Sequence, residues 1–419
     1  MVASGADRPR RRLLGGFGAF AALEGAASLG LSPLAAAAPA KPADAAIGIA
    51  GARHLLSRTG FGAPPAWISQ FAPLSRAEAV ARLLDASPAP PSAPPHLDYQ
   101  RPAALRDLQD AAAIAEFQRE QRRQGVALRG WWLGQMLHAA NPATALQERM
   151  VLFWHNHFVS SQQKVKALPL MLRQNQLFRQ YALGNFASLL HAVARDPAMV
   201  VYLDSASNRR ESPNENFARE LLELFTLGQG HYREQDIKEV ARAFTGWSFE
   251  PASGEFRFRP FQHDDGEKQI FGQRGQFDGD GVLDLLLAEP ATAEFLVGKF
   301  WREFVAPEIS AATRRRLAAE WRQRRYDLRA LLRALLLQPE FWAASGSLIK
   351  SPLDFVIGTL RSLDIPVSEP LPLTLLLRQL GQDVFAPPNV RGWPGGESWI
   401  DASTLLLRKQ FIERLLRGG

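Results

Sequence analysis

Three groups of polar residues in this 419-residue sequence have types and spacings that could do chemistry. The densest runs Asn214-Glu215-Asn216-Phe217-Ala218-Arg219-Glu220-Leu221-Leu222-Glu223. At about 100° per helical residue, Asn216, Arg219, Glu220 and Glu223 share an arc of roughly 100°, away from Phe217, Leu221 and Phe225. Two carboxylates on one face push their pKa values apart, as an acid–base pair requires, or share a cation. A solvated face tied by Glu215 and Arg219 at i,i+4 is the competing reading, and helix geometry alone favours it. The second group is His155-Asn156-His157. Alternate residues share a face on a strand, whereas on a helix these imidazoles point roughly 200° apart. They can share one ion only if the helix ends near Asn156; otherwise each is a buried, hydrogen-bonded histidine. The third is His263-Asp264, followed by Lys268, where a turn presents either a base or ligand, or solvated polar residues.

These residues must be positioned mainly by helices. Leu146, Met150, Phe153, Trp154 and His157 keep helical spacing, as do Leu170, Leu177, Tyr181 and Phe186. The pattern predicts an exposed, charged helix over 103–124, then a more buried one starting with Leu128, Trp131, Trp132 and Met136. Further helices are expected near 282–289, 291–304, 311–324, 327–338 and 403–416. Five prolines within 86–96 dictate an extended connection. Between helices, alternation in Glu255-Phe256-Arg257-Phe258-Arg259 and a turn at Asp264-Asp265-Gly266 predict one inserted β-hairpin over about 248–281, with Lys268–Phe271 as its returning strand. The expected fold is mainly α: a large multi-helix domain over 41–416 with a small inserted β-hairpin. Pro387–Gly396, with Trp393 and Trp399, is too rich in special-φ residues for a casual linker. Its tryptophans either pin a rigid loop to the core, the favoured reading, or form a stacking platform.

Composition narrows the chemistry. The chain has no cysteine, which excludes disulfides, thiol nucleophiles, Cys-bound zinc and iron–sulfur clusters. Any metal must sit on histidine and oxygen ligands. The net charge is +7, and the first forty residues hold four arginines and two acids, so the remainder carries +5. That is too mild an excess to argue for nucleic acid. Arg10-Arg11-Arg12-Leu13-Leu14, the Gly/Ala-rich stretch to Leu34 and Ala38-Pro39-Ala40 together predict a twin-arginine-type export signal cleaved near Ala40, hence a periplasmic or otherwise exported protein. No later segment is long and apolar enough to span a bilayer. The sequence has no GxSxG, Walker loop, HExxH or dinucleotide fingerprint.

The segments His54–Gly62, Phe153–Phe158, Asn214–Gly228, Ala241–Trp247, Lys350-Ser351-Pro352 and Pro388–Gly396, in that order, resemble the bacterial family called domain of unknown function 1800, over roughly residues 50–416. The resemblance implies a shared fold and an exported protein. It also implies gene neighbours of a sulfatase-like exported family, domain of unknown function 1501, but no established reaction. It places His155, His157, Glu215, Glu220, Glu223 and His263-Asp264 inside family motifs, which tips the balance toward a shared polar site. One departure stands out: Arg233 replaces the family's usual threonine, which removes a hydroxyl cap from the following helix. Two readings result. In one, a divalent metal is held by His155, His157, Glu215 and Glu220, with Glu220, Glu223, His263 and Asp264 as acid–base groups. In the other, the chain is a non-catalytic partner of a co-exported protein of the domain of unknown function 1501. A carbohydrate-active enzyme ranks lowest, because i,i+3 spacing sets Glu220 and Glu223 side by side rather than across a sugar bond.

Overall fold

Asparagine, aspartate and serine start many of the helices, as their short side chains should. Asn141, Asn185, Asp196, Asp278, Ser310 and Asp327 each accept a hydrogen bond from a first-turn backbone N–H. The computed structural model describes residues 45–98, 111–250 and 253–417. The export signal and the beginning of the helix expected from residue 103 lie outside them.

Among the described residues there are eighteen α-helices and two two-stranded antiparallel sheets, so the chain is mainly α. The helix Pro142–His157 runs through the core, with Met150, Val151 and Trp154 fully buried. Helices Ala111–Leu137, Leu168–Tyr181 and Gly48–Thr59 pack against it. Pro290–Phe304 does so through Phe300, 4.4 Å from the Phe153 ring centre. Residues 111–137 form one continuous helix, exposed near its start and increasingly buried from Leu128, so the exposed and buried patterns are two ends of one rod. The proline segment is extended and strapped down. Ala89 N–H donates to Thr144 Oγ1, Ser92 N–H to Gln135 Oε1, and Trp131 Nε1–H to the Ser92 carbonyl.

The β region differs from the single hairpin expected. Trp247–Phe249 pairs with Phe256–Phe258, and Lys268–Ile270 pairs with Gln273–Gly275. The second strand group therefore turns back on its own continuation. Phe271 and Gly272 both have positive φ, 51° and 82°, the backbone of a tight two-residue hairpin turn. A phenylalanine rarely adopts that conformation, so its sequence hides the turn. The hairpin docks on the helix Glu234–Ala243, where Asp236 Oδ1 accepts the Phe271 N–H at 3.0 Å. Asp236 Oδ2 also accepts the Arg233 N–H, so half of the capping box survives the missing hydroxyl.

Candidate functional site

The helix Asn216–Glu220 continues into a π-helical turn, Leu221–Thr226. Such wide turns cluster at functional positions, because they break the regular ladder. Here Thr226 Oγ1 donates back to the Leu221 carbonyl at 2.6 Å, and Leu227 N–H reaches Leu222 O.

Glu223 is the anchored carboxylate of the pair. It accepts from Gln229 Nε2 at 2.7 Å, Tyr232 Oη at 3.1 Å and Arg391 Nη2 at 3.1 Å. Glu220 is different. It is half-buried, and no side chain among the described residues hydrogen-bonds its carboxylate. Burial, then the charge of Glu223, raises its pKa, against the pull of Arg391 and Arg219. Two tyrosines record the same field. Burial and Glu220 raise the Tyr202 pKa, while burial and the Glu223 hydrogen bond push Tyr232 up to about 12. The arrangement joins one carboxylate held by three donors to a neighbour that holds its proton more tightly than usual.

Arg219 does not serve this pair directly. Its guanidinium bridges Glu215 at 3.1 Å and Glu234 at 2.7 Å. The i,i+4 ion pair therefore exists, and Glu215 is occupied by it. The asparagines are structural: Asn216 Nδ2 donates to Leu203 O, and Asn208 links Asn214 N–H to the Ala241 carbonyl.

The two histidines point apart, because the helix continues through His157. His155 packs edge-on against Phe178 and Phe385 and tilted against Trp132, and its Nε2 accepts from Asn175 Nδ2 at 3.2 Å. Burial, reinforced by Arg179, lowers its pKa to about 3. His157 faces the opposite way. Its Nε2–H donates to Phe225 O at 3.1 Å, and its Nδ1 accepts from Lys299 Nζ at 2.9 Å. Lys299 also reaches Leu224 O at 3.4 Å. Together these side chains satisfy carbonyls that the end of the π turn leaves without partners. Burial, then Lys299, lowers the His157 pKa well below its ordinary value. Both ring nitrogens of His157 are engaged, so the histidines have no common seat for an ion. Among the described residues, no three His, Asp or Glu side chains are gathered to hold a metal. The donor set His155, His157, Glu215 and Glu220 does not fit one ion.

His263 and Asp264 form no dyad with each other. His263 Nδ1 lies 2.9 Å from the Thr245 carbonyl, and Asp264 takes a two-pronged ion pair from Arg242, at 2.7 and 3.1 Å. That arginine is the main reason the Asp264 pKa falls. Lys268 Nζ donates to the carbonyls of Asp264 and Gly266, which fixes the turn.

Sequence reasoning assigned no role to Asn156, Lys299, Tyr232 or Arg391. Asn156 Oδ1 accepts the Trp393 N–H at 2.7 Å and so holds the 387–399 loop. Gly392, at φ 83°, passes so close that a Cβ there would lie 2.2 Å from Asn156 Oδ1. Trp393 and Trp399 are both buried, so they pin the loop and leave no stacking platform. The loop thereby delivers Arg391 to Glu223. Of the four, only Lys299 left a sequence signal: a cation between Leu296 and Phe300 on an apolar stripe.

Residues 54–417 match the family model described as protein of unknown function (DUF1800). No curated protein and no solved structure matches the chain.

Proposed function

The chain belongs to the DUF1800 family, and we propose that within it Glu220 and Glu223 form an acid–base pair acting on a polar substrate. Glu220 carries the proton. Glu223, held by Arg391, Tyr232 and Gln229, stays in place beside it and adds to the effect of burial on the proton affinity of Glu220. The supporting observation is the half-buried Glu220 carboxylate, raised in pKa and without a hydrogen-bond partner among the described residues. A half-buried carboxylate without a hydrogen-bond donor, beside a second carboxylate, is costly to the fold, and such costs concentrate where a group has another task. Hydroxyl or amine groups of a ligand would supply the missing donors.

Stability separates this reading from a structural one. A raised native pKa means that the folded state holds the proton more tightly than the unfolded chain. The resulting cost is absent at low pH, where both states are protonated. It appears as pH rises through the ordinary value of 4.5 and is complete above the native pKa. Glu220→Gln removes the ionisation. The variant should be more stable than wild type at pH 7 and equal to it near pH 3, by urea denaturation. A structural ion-pair member would instead lose stability at pH 7, and that outcome would sink the proposal.

A further inference from the structure

Residues 311–333 hold eight arginines against two carboxylates, a local net charge of +6 within a chain whose total is +7. The helix Ala311–Gln323 packs on Pro290–Phe304 through buried Leu317, Ala318 and Trp321. Arg315, Arg316 and Arg322 lie on its exposed arc, and Arg324 and Arg325 follow in the turn. That turn is locked. Arg325 and Tyr326 have positive φ, 51° and 62°, Trp321 Nε1–H donates to Asp327 O, and Tyr326 Oη–H donates to Leu287 O. Arg316 is partnered by Glu320, and Arg322 reaches the Ala288 carbonyl. Arg315, Arg324 and Arg325 have no carboxylate partner among the described residues.

We propose that this face docks the protein peripherally on a bilayer rich in anionic phospholipids. Charge complementarity carries the argument. Guanidinium forks match phosphodiester oxygens, and each cation near an anionic surface adds attraction. Nucleic acid shares the phosphodiester, but both aromatic residues of the segment, Trp321 and Tyr326, are buried, so none is offered to stack on bases. The contact is peripheral, because among the described residues no helix is long and apolar enough to cross a membrane.

The test is co-sedimentation of the full chain with phosphatidylglycerol-containing vesicles, with pure phosphatidylcholine vesicles and duplex DNA as comparisons. Expected are binding to the anionic vesicles alone, loss of that binding at high salt, and a drop of about a hundredfold in R315Q/R324Q/R325Q. R119Q/R122Q, which removes exposed arginines elsewhere, should bind as wild type does, and circular dichroism checks that both variants fold. No binding to anionic vesicles, equal binding by the triple variant, equal loss in both variants, or tighter binding to DNA would overturn the proposal.

Discussion

Lys268 and Lys299 both donate to main-chain carbonyls, yet only Lys268 has carboxylates around it. Burial, with Arg242, lowers the Lys268 pKa, and Asp264, Glu239 and Asp265 work against that fall. Lys299 has neutral His157, the Phe295 ring and Arg302 as neighbours, and burial brings its pKa down to about 7. The sign of the linkage follows. The unfolded chain keeps this proton up to about 10.5 and the folded chain only to about 7, so stability from this group rises with pH across that window. The stability of Lys299→Met relative to wild type should therefore be highest at or below pH 7 and fall toward pH 10, whatever constant cost the lost hydrogen bonds add, by urea denaturation at several pH values. A difference independent of pH would show that the amine is not depressed. Periodicity reveals a lysine on an apolar stripe, but its charge state depends on side chains up to 142 positions away, which periodicity does not register.

At the scale of elements, the site depends on two irregular pieces held by regular ones. The π turn is capped by His157 and Lys299, and the 387–399 loop is fastened by Asn156. Gly392→Ala meets both a left-handed φ and the Asn156 side chain, and should cost about 2 kcal/mol or more. Asn156→Ala leaves the Trp393 N–H without its acceptor, at about 1–3 kcal/mol. Limited proteolysis should then cut the loop faster in both variants; cleavage at wild-type rates would mean that Trp393 and Trp399 alone hold it. Pro387–Gly396 was legible as a special loop because proline fixes φ and glycine admits the positive φ that Gly392, Gly395 and Gly396 adopt. Its partner was not, because nothing in Asn156 itself distinguishes a loop clamp from a solvated amide. The β region failed in the same way. Alternation located Phe256–Phe258, and Lys268–Ile270 was expected as a strand, but Trp247–Phe249 and Gln273–Gly275 were not; the second pairing depended on Phe271 adopting a conformation that its side chain disfavours.

Across the whole molecule, charge is buried at ion pairs that bind distant helices. Arg179 takes both oxygens of Glu148, at 2.7 and 2.9 Å, and Trp132 Nε1–H adds a third bond at 3.0 Å. Arg149 pairs with Glu303 and Asp354. Removing one partner strands the other without water. Glu148→Ala should lose about 3–5 kcal/mol, whereas the exposed pair Arg316–Glu320 should be worth less than about 1 kcal/mol by double-mutant cycle. Equal losses would place Glu148 in contact with solvent. From sequence alone the helical class, most helix positions, the extended proline strap and the family resemblance could be read. Those follow from backbone preference and burial pattern, both properties of neighbouring residues. Only the tertiary structure decided that His155 and His157 face apart, that Arg219 serves Glu215 and Glu234, and that Glu220, unlike Glu215 and Glu223, has no hydrogen-bond partner among the described residues. Hydrogen bonds and pKa values depend on which groups meet across the fold, and residues far apart in sequence supply them.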